Sequence, residues 1–190
     1  MKVAGILLCA GQGSRFSGNG HKLLQQFGST TLFEHCLSAM MDAELDLNIV
    51  VDGAVDLSSR LPTQVVRVHN PDWIDGMATS LKVGVACAKE LGASSVVVGL
   101  GDQPGILGSS WRAVANSSGR PIAIATYHGK RRNPVRLDST VWELLPTTGD
   151  VGARALVKLR PELVEEVDCL GDPRDIDTLE ETSDRTPRPN

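Results

Sequence analysis

The chain has 190 residues, 41% of them apolar, and a formal net charge of −4. This length and composition suit one globular domain. The acidic balance argues against a nucleic-acid binder, which needs a broad cationic surface to neutralise phosphates.

The first apolar run, 3–9, reads as a buried strand. It flows into Gly11-Gln12-Gly13-Ser14-Arg15, which is not a signal-peptide cleavage site. Thr31 and Glu34 form a capping box that opens a helix with Leu32, Phe33, Cys36, Leu37, Met40 and Met41 at helical spacing. Runs 47–51 and 64–68 read as strands. A second helical stripe, Leu81, Gly84, Val85, Ala88 and Leu91, stops at Gly92. Strands follow at 95–100 and 121–126, and Lys130-Arg131-Arg132 reads as a solvated turn. A third helix is predicted from Asp150 as N-cap through Ala155, Leu156 and Leu159, ending before Pro161.

The strands are near-continuous apolar runs, as expected when both faces of a parallel sheet are covered. Their alternation with helices predicts a doubly wound, three-layer α/β/α sandwich with a mostly parallel, Rossmann-like sheet. One domain is expected over 1–182, with a disordered tail at 183–190 that is polar and proline-rich. No run of about 18 uncharged apolar residues occurs, so no membrane span is expected. Cys9, Cys36, Cys87 and Cys169 lie scattered without a Cys-x-x-Cys pair, the pattern of reduced thiols in a cytoplasmic protein.

The most informative segment is Leu8-Cys9-Ala10-Gly11-Gln12-Gly13-Ser14-Arg15-Phe16, followed by Lys22. It leaves the carboxyl end of a strand, where open α/β sheets bind ligands. Its glycines let backbone N–H groups surround an anion. The dinucleotide fingerprint needs a third glycine where Phe16 stands, and Walker A needs Gly-Lys-Ser/Thr, whereas His21 and Leu23 flank Lys22. What remains is a glycine loop with two strong cations, Arg15 and Lys22, suited to a triphosphate under attack. The bland alternative is an exposed loop with incidental charges.

On these residues the chain resembles the MobA-like NTP transferase family, and within it the molybdenum cofactor cytidylyltransferases. The family loop reads Leu-Ala-Ala-Gly-x-Gly-x-Arg-Phe/Met-Gly and ends in lysine. Here Cys9 replaces an alanine, Ser17 replaces a glycine, and the stretch before Lys22 is about one residue longer. The segment from Asn70 to Leu81 is similar to the family's Asn-Pro-x-Trp-x-x-Gly-Met-x-x-Ser-Leu. Gly101-Asp102-Gln103-Pro104 resembles its Gly-Asp-x-Pro, Asp150-Val151-Gly152-Ala153-Arg154 its Gly-Asp-x-Gly-Ala-Arg, and Asp175-Ile176-Asp177-Thr178 its Asp-Ile-Asp-Thr. Asn133-Pro134-Val135 stands where the family has His-Pro-Val.

The resemblance implies a fold of the nucleotide-diphospho-sugar transferase type. It also implies transfer of CMP from CTP to the phosphate of molybdopterin cofactor, with release of pyrophosphate. Arg15 and Lys22 would neutralise the β- and γ-phosphates and Asp102 would bind Mg²⁺. Asp177 would be a second metal ligand or simply a helix cap. Leu8, Ala10, Gly11, Gly13, Gly76, Met77 and Ser80 would contact the nucleotide. Asn133, Asp150 and Arg154 would contact the acceptor. In the family Ala-Gly in the loop goes with cytidine and Gly-Gly with guanosine, and Ala10-Gly11 matches the former.

Taken alone, Asp102 also reads as an Asx turn, Ser80 as a first-turn cap, and Arg154 as a surface partner of Asp150. No His-x-x-x-His spacing or Gly-x-Ser-x-Gly elbow occurs, so direct in-line attack is expected rather than a covalent intermediate. Rival readings are GTP as donor, a sugar or polyol phosphate as acceptor, or a non-catalytic accessory chaperone delivering cofactor to a molybdoenzyme.

Overall fold

The computed structural model describes residues 1–13 and 20–178. The tail expected to be disordered therefore lies outside the described residues. Seven strands form the central sheet: β1 (Val3–Leu8), β2 (Leu47–Asp52), β3 (Val65–His69), β4 (Ser95–Leu100), β5 (Ile122–Tyr127), β6 (Lys130–Asp138) and β7 (Val164–Asp168). Their order is β7-β5-β6-β4-β1-β2-β3. Six run in one direction, and β6 runs antiparallel between β4 and β5.

Helices cover both faces. On one side α1 (Leu32–Met41) and α3 (Gly108–Asn116) pack against Leu7, Val50, Val97 and Ala123. On the other, α2 (Met77–Glu90) and α4 (Ala153–Leu159) pack against Ile6, Leu8, Val51, Val98 and Ile124. Neighbouring residues along β1 thus serve opposite cores, because successive strand side chains point to opposite faces. The three-layer α/β/α sandwich expected from the apolar runs is the fold observed. Among the described residues no helix is long and apolar enough to cross a membrane.

The capping box at α1 forms in both directions. The Glu34 amide donates to Thr31 Oγ1 at 3.3 Å, and the Thr31 amide donates to Glu34 Oε2 at 2.8 Å. Three expectations need correction. Lys130-Arg131-Arg132 is the start of β6, not a turn. Pro134 hid this strand, since proline cannot donate to a ladder. It sits where the register with β5 jumps from Val135 to Arg132, an irregularity that asks for no donor there. Asp150 does not cap the last helix, which starts at Ala153 behind Gly152 (φ 48°) and has no side-chain cap. Finally, α3 and β7 are absent from the sequence reading. One opens with Gly-Ser-Ser and the other, Val-Glu-Glu-Val-Asp at the sheet edge, has only two apolar residues.

On α3, Trp111 packs against Gly99 of β4. A Cβ built at Gly99 would come within 2.5 Å of the indole ring, and Trp111 is 2% exposed. Gly99→Ala is expected to destabilise the fold by about 1–3 kcal/mol through overpacking, measured by denaturant unfolding. An unchanged midpoint would mean that the ring moves aside freely.

Candidate active site

The chain leaving β1 is pinned on three sides before it reaches the glycine loop. The Cys9 amide donates to Val51 O at 2.8 Å, the Gly101 amide to Leu8 O at 3.0 Å, and the Ala54 amide to Ala10 O at 3.0 Å. The strands on either side therefore fix where the loop begins. Burial raises the Cys9 thiol well above its ordinary pKa, so it packs as a neutral side chain against Gly101. Gly13 adopts φ 65°, and a Cβ there would stand 3.0 Å from Lys22 Cγ. Glycine here provides the left-handed turn and also the space in which the lysine stem lies. Arg15 lies outside the described residues.

Lys22 crosses the mouth of the loop to the carboxyl end of β4. Its Nζ donates to Asp102 Oδ2 at 2.6 Å and stands 3.6 Å from Asp177 Oδ1. The second oxygen of Asp102, Oδ1, is buried and has no hydrogen-bond partner. Burial is the largest influence on this carboxyl and raises its pKa. Lys22 opposes the shift, and Asp175 adds to it. Such an arrangement would normally be costly, because a buried acceptor without a partner loses its hydration. A divalent cation bound there would resolve it. Asp102 Oδ1 and the Asp177 carboxylate are hard oxygen donors beside a cleft, and Mg²⁺ takes one or two carboxylates while phosphate oxygens and water complete its shell. The residues present fit such an ion. Among the described residues no group of three or more His, Cys, Asp or Glu side chains is placed to hold a metal by itself.

Around this pair opens a cleft of about 440 Å³. At one end lie Gly11, Gly13, Lys22, Asp102 and Asp177, and at the other Trp73, Gly76, Met77 and Ser80. Ala10 stands between them. Its methyl and carbonyl crowd the space beside Gly53, where a Cβ would lie 2.9 Å from each and 2.8 Å from Trp73 Cβ. Trp73 lines the cleft, and Gly53 leaves room for it and Ala10 behind the wall, although sequence reasoning assigned neither a role. Ser80 is not a helix cap. Its Oγ accepts from Asn70 Nδ2 at 2.9 Å, while Asn70 Oδ1 accepts from the Asp72 amide, so Asn70 organises the turn into α2. At the start of α2 the Ala78 amide donates to Gly149 O at 2.9 Å.

A second cavity, also of about 440 Å³, adjoins the first and shares Leu8, Met77, Leu100 and Asp150 with it. Val98, Ile124, Val135 and Val157 give it an apolar floor, and Asn133, Arg154, Arg132 and Lys158 stand at its walls. Arg131 also lines it but is paired with Glu166 at 2.7 Å. Among the described residues Arg132, Arg154 and Lys158 have no carboxylate partner. Every described residue predicted for a site thus lies on one of the two cavities or on both. Asn133 differs from expectation in one respect, because its Nδ2 donates to Gln103 Oε1 at 2.9 Å. Arg132 and Lys158 were missed, although the cluster at 130–132 is visible in the sequence as a run of charge.

A doubly wound sheet with a glycine loop and a lysine–aspartate pair at its carboxyl edge is the architecture of a nucleotide-binding α/β protein. The chain belongs to the MobA-like NTP transferase family, whose domain model matches residues 5–167, and it is a nucleotidyltransferase. It is 30% identical over 194 residues to the nicotine blue oxidoreductase of Paenarthrobacter nicotinovorans, covering 94% of each chain. Among solved structures it is similar to a nucleotidyl transferase from Methanothermobacter (TM-score 0.81, 20% identity, 97% of this chain and 96% of that one), a likeness of fold. It is also similar to Rv0371c of Mycobacterium tuberculosis (TM-score 0.80, 27% identity, 97% of each chain). A further structure of that protein, at TM-score 0.76, 25% identity and 98% of each chain, is a complex with manganese.

Proposed function

We propose that this nucleotidyltransferase moves CMP from CTP to the phosphate of molybdopterin cofactor and releases pyrophosphate, with Mg²⁺ as its metal. The observation that carries the reading is the meeting of Lys22, Asp102 and Asp177 at one end of the cleft, with the orphaned Asp102 Oδ1 among them. The manganese complex of the mycobacterial relative supports a divalent ion in this role. Asp102 and Asp177 would hold the ion, which supplies charge neutralisation at the triphosphate.

Lys22, and Arg15 from the loop, would neutralise the β- and γ-phosphates. The Gly11–Gly13 backbone would cradle them. Arg154, Arg132 and Lys158 would hold the acceptor phosphate in the second cavity, and its apolar floor would take the body of the acceptor. A phosphate oxygen of the acceptor attacks the α-phosphorus, and the bond to the β-phosphate bridging oxygen breaks. Pyrophosphate then leaves with the electron pair. Positioning and charge stabilisation supply the rate, and no side chain becomes covalently bonded.

The choice of CTP rests on Ala10. Its methyl is packed toward Gly53 and Trp73 and so helps set the width of the cleft beyond the phosphates. Four NTPs should be offered with candidate acceptors, reading pyrophosphate. Wild type is expected to favour CTP, and Ala10→Gly to shift the CTP/GTP ratio of kcat/KM toward GTP by roughly tenfold, the order of discrimination that a small apolar group provides. Equal use of CTP and GTP by wild type would end the claim. Release with a sugar phosphate but not with molybdopterin would reassign the acceptor, and binding without release would favour a chaperone.

A second reading comes from the name of the Paenarthrobacter relative, which denotes an oxidoreductase. Phe16 at the third glycine position disfavours a dinucleotide fingerprint here. Oxidation of NADH or NADPH by this chain, without pyrophosphate release from any NTP, would favour that reading.

A further inference from the structure

Gln103 follows Asp102 directly, yet its side chain turns away from the cleft. It is 4% exposed, and every side of its carboxamide is engaged. Nε2 donates to Pro173 O at 3.0 Å and to Asp175 Oδ1 at 2.7 Å, while Oε1 accepts from Asn133 Nδ2 at 2.9 Å. With two acceptors on one side and a donor on the other, only this orientation of the amide satisfies all three partners. One buried side chain therefore joins the end of β4, the bulged start of β6 and the segment 173–177 near the end of the described chain.

That segment is tied at further points as well, one of them Lys22 Nζ, which donates to Ile176 O at 3.4 Å. The Ile176 amide donates to Asp102 O at 2.9 Å, and the Ile176 side chain is fully buried. With Ile176 pointing into the core, Asp175 faces the second cavity and Asp177 faces the first. The position of Asp177 beside Lys22 thus depends in part on how 173–177, which is neither helix nor strand, is anchored.

We propose that Gln103 is a positioning residue: by clamping 173–177 through Pro173 O and Asp175 it presents Asp177 to the Lys22–Asp102 pair and completes the metal site. The inference rests on Asp177 being a metal ligand and goes beyond it by naming what places that ligand. Outer partners that orient metal ligands are worth roughly 10–100-fold in metal affinity when removed. Loss of the clamp should fall in that range, since methionine matches glutamine in length and offers no hydrogen bond.

The test is Mn²⁺ binding to the free protein, followed by electron paramagnetic resonance of the unbound ion, beside hydrogen exchange of the Ile176 amide. Wild type, Gln103→Met, Asp175→Ala, Asp175→Asn and Asp177→Asn would be compared. Gln103→Met and Asp175→Ala are expected to weaken Mn²⁺ binding by roughly tenfold or more and to speed exchange at Ile176, with exchange in β1 and β4 unchanged. Asp175→Asn, which keeps an oxygen for Gln103 Nε2, is expected to stay close to wild type. Because Asp175 is exposed, its variants decide the matter even if Gln103→Met does not fold. If Asp177→Asn weakens binding while Gln103→Met or, failing that, Asp175→Ala does not, the positioning role is overturned and the metal role stands. If wild type binds no Mn²⁺, or Asp177→Asn changes nothing, the metal role of Asp177 fails and the proposal fails with it.

Discussion

Asp102→Asn is expected to lower kcat/KM by roughly 10²–10³-fold, the usual cost of removing one electrostatic contributor to a charged transition state, while the unfolding temperature stays at or slightly above wild type. The two halves of this expectation share one cause. Burial raises the pKa of the Asp102 carboxyl, so its surroundings disfavour the charge that it carries. A neutral amide of the same shape removes that conflict, and its oxygen still accepts from Lys22, so the hydrogen bond there is kept. A metal held there would lose the anionic oxygen that has no other partner. A role confined to the Lys22 ion pair predicts the opposite pattern, with lower stability and preserved turnover. Activity above about a tenth of wild type would contradict the metal role, given the size of the usual loss.

Lys22→Met is expected to reduce kcat/KM on a similar scale, roughly 10²-fold or more for loss of the cation proposed to face the transferring phosphates. Its effect on metal binding should run the other way. In the free protein Lys22 Nζ lies 2.6 Å from Asp102 and 3.6 Å from Asp177, so the ammonium stands where it competes with any divalent cation for both carboxylates. Removing it leaves two acidic groups near one another with a charge deficit, a better cation site. Mn²⁺ affinity of the nucleotide-free variant should therefore rise while turnover falls. A variant in which both fall together would mean that Lys22 serves mainly to hold the two aspartates in place.

Much of this site is written in short local patterns. The glycine loop after β1 and the aspartate after β4 could be placed from sequence because parallel strands end at the same edge of a doubly wound sheet. Any pair of motifs following two central strands therefore becomes neighbours. The capping box at Thr31 and the stripe on α2 were legible for the same reason, since each is decided within a few residues. Features that depend on distant chain were not. β6 breaks the apolar pattern with Arg131, Arg132 and Pro134, and only the register against β5 shows that the proline falls in an irregular step. The start of α4 moved to Ala153 because the backbone at 149–152 docks over α2, where Gly149 exchanges hydrogen bonds with Asp75 and Ala78. Gln103 stands at the unspecified position of Gly-Asp-x-Pro, and its partners stand 30, 70 and 72 positions away.

The account depends on a metal-bound triphosphate seated between Lys22 and the two aspartates. A crystal grown with CTP and Mn²⁺, with the anomalous signal of manganese mapped at its absorption edge, tests this directly. The expected map has its peak in the coordination shell of Asp102 and Asp177, with phosphate oxygens on the same ion and the α-phosphate facing the cavity of Arg154 and Lys158. A nucleotide bound elsewhere on the chain, or a manganese peak that touches neither aspartate, would contradict it.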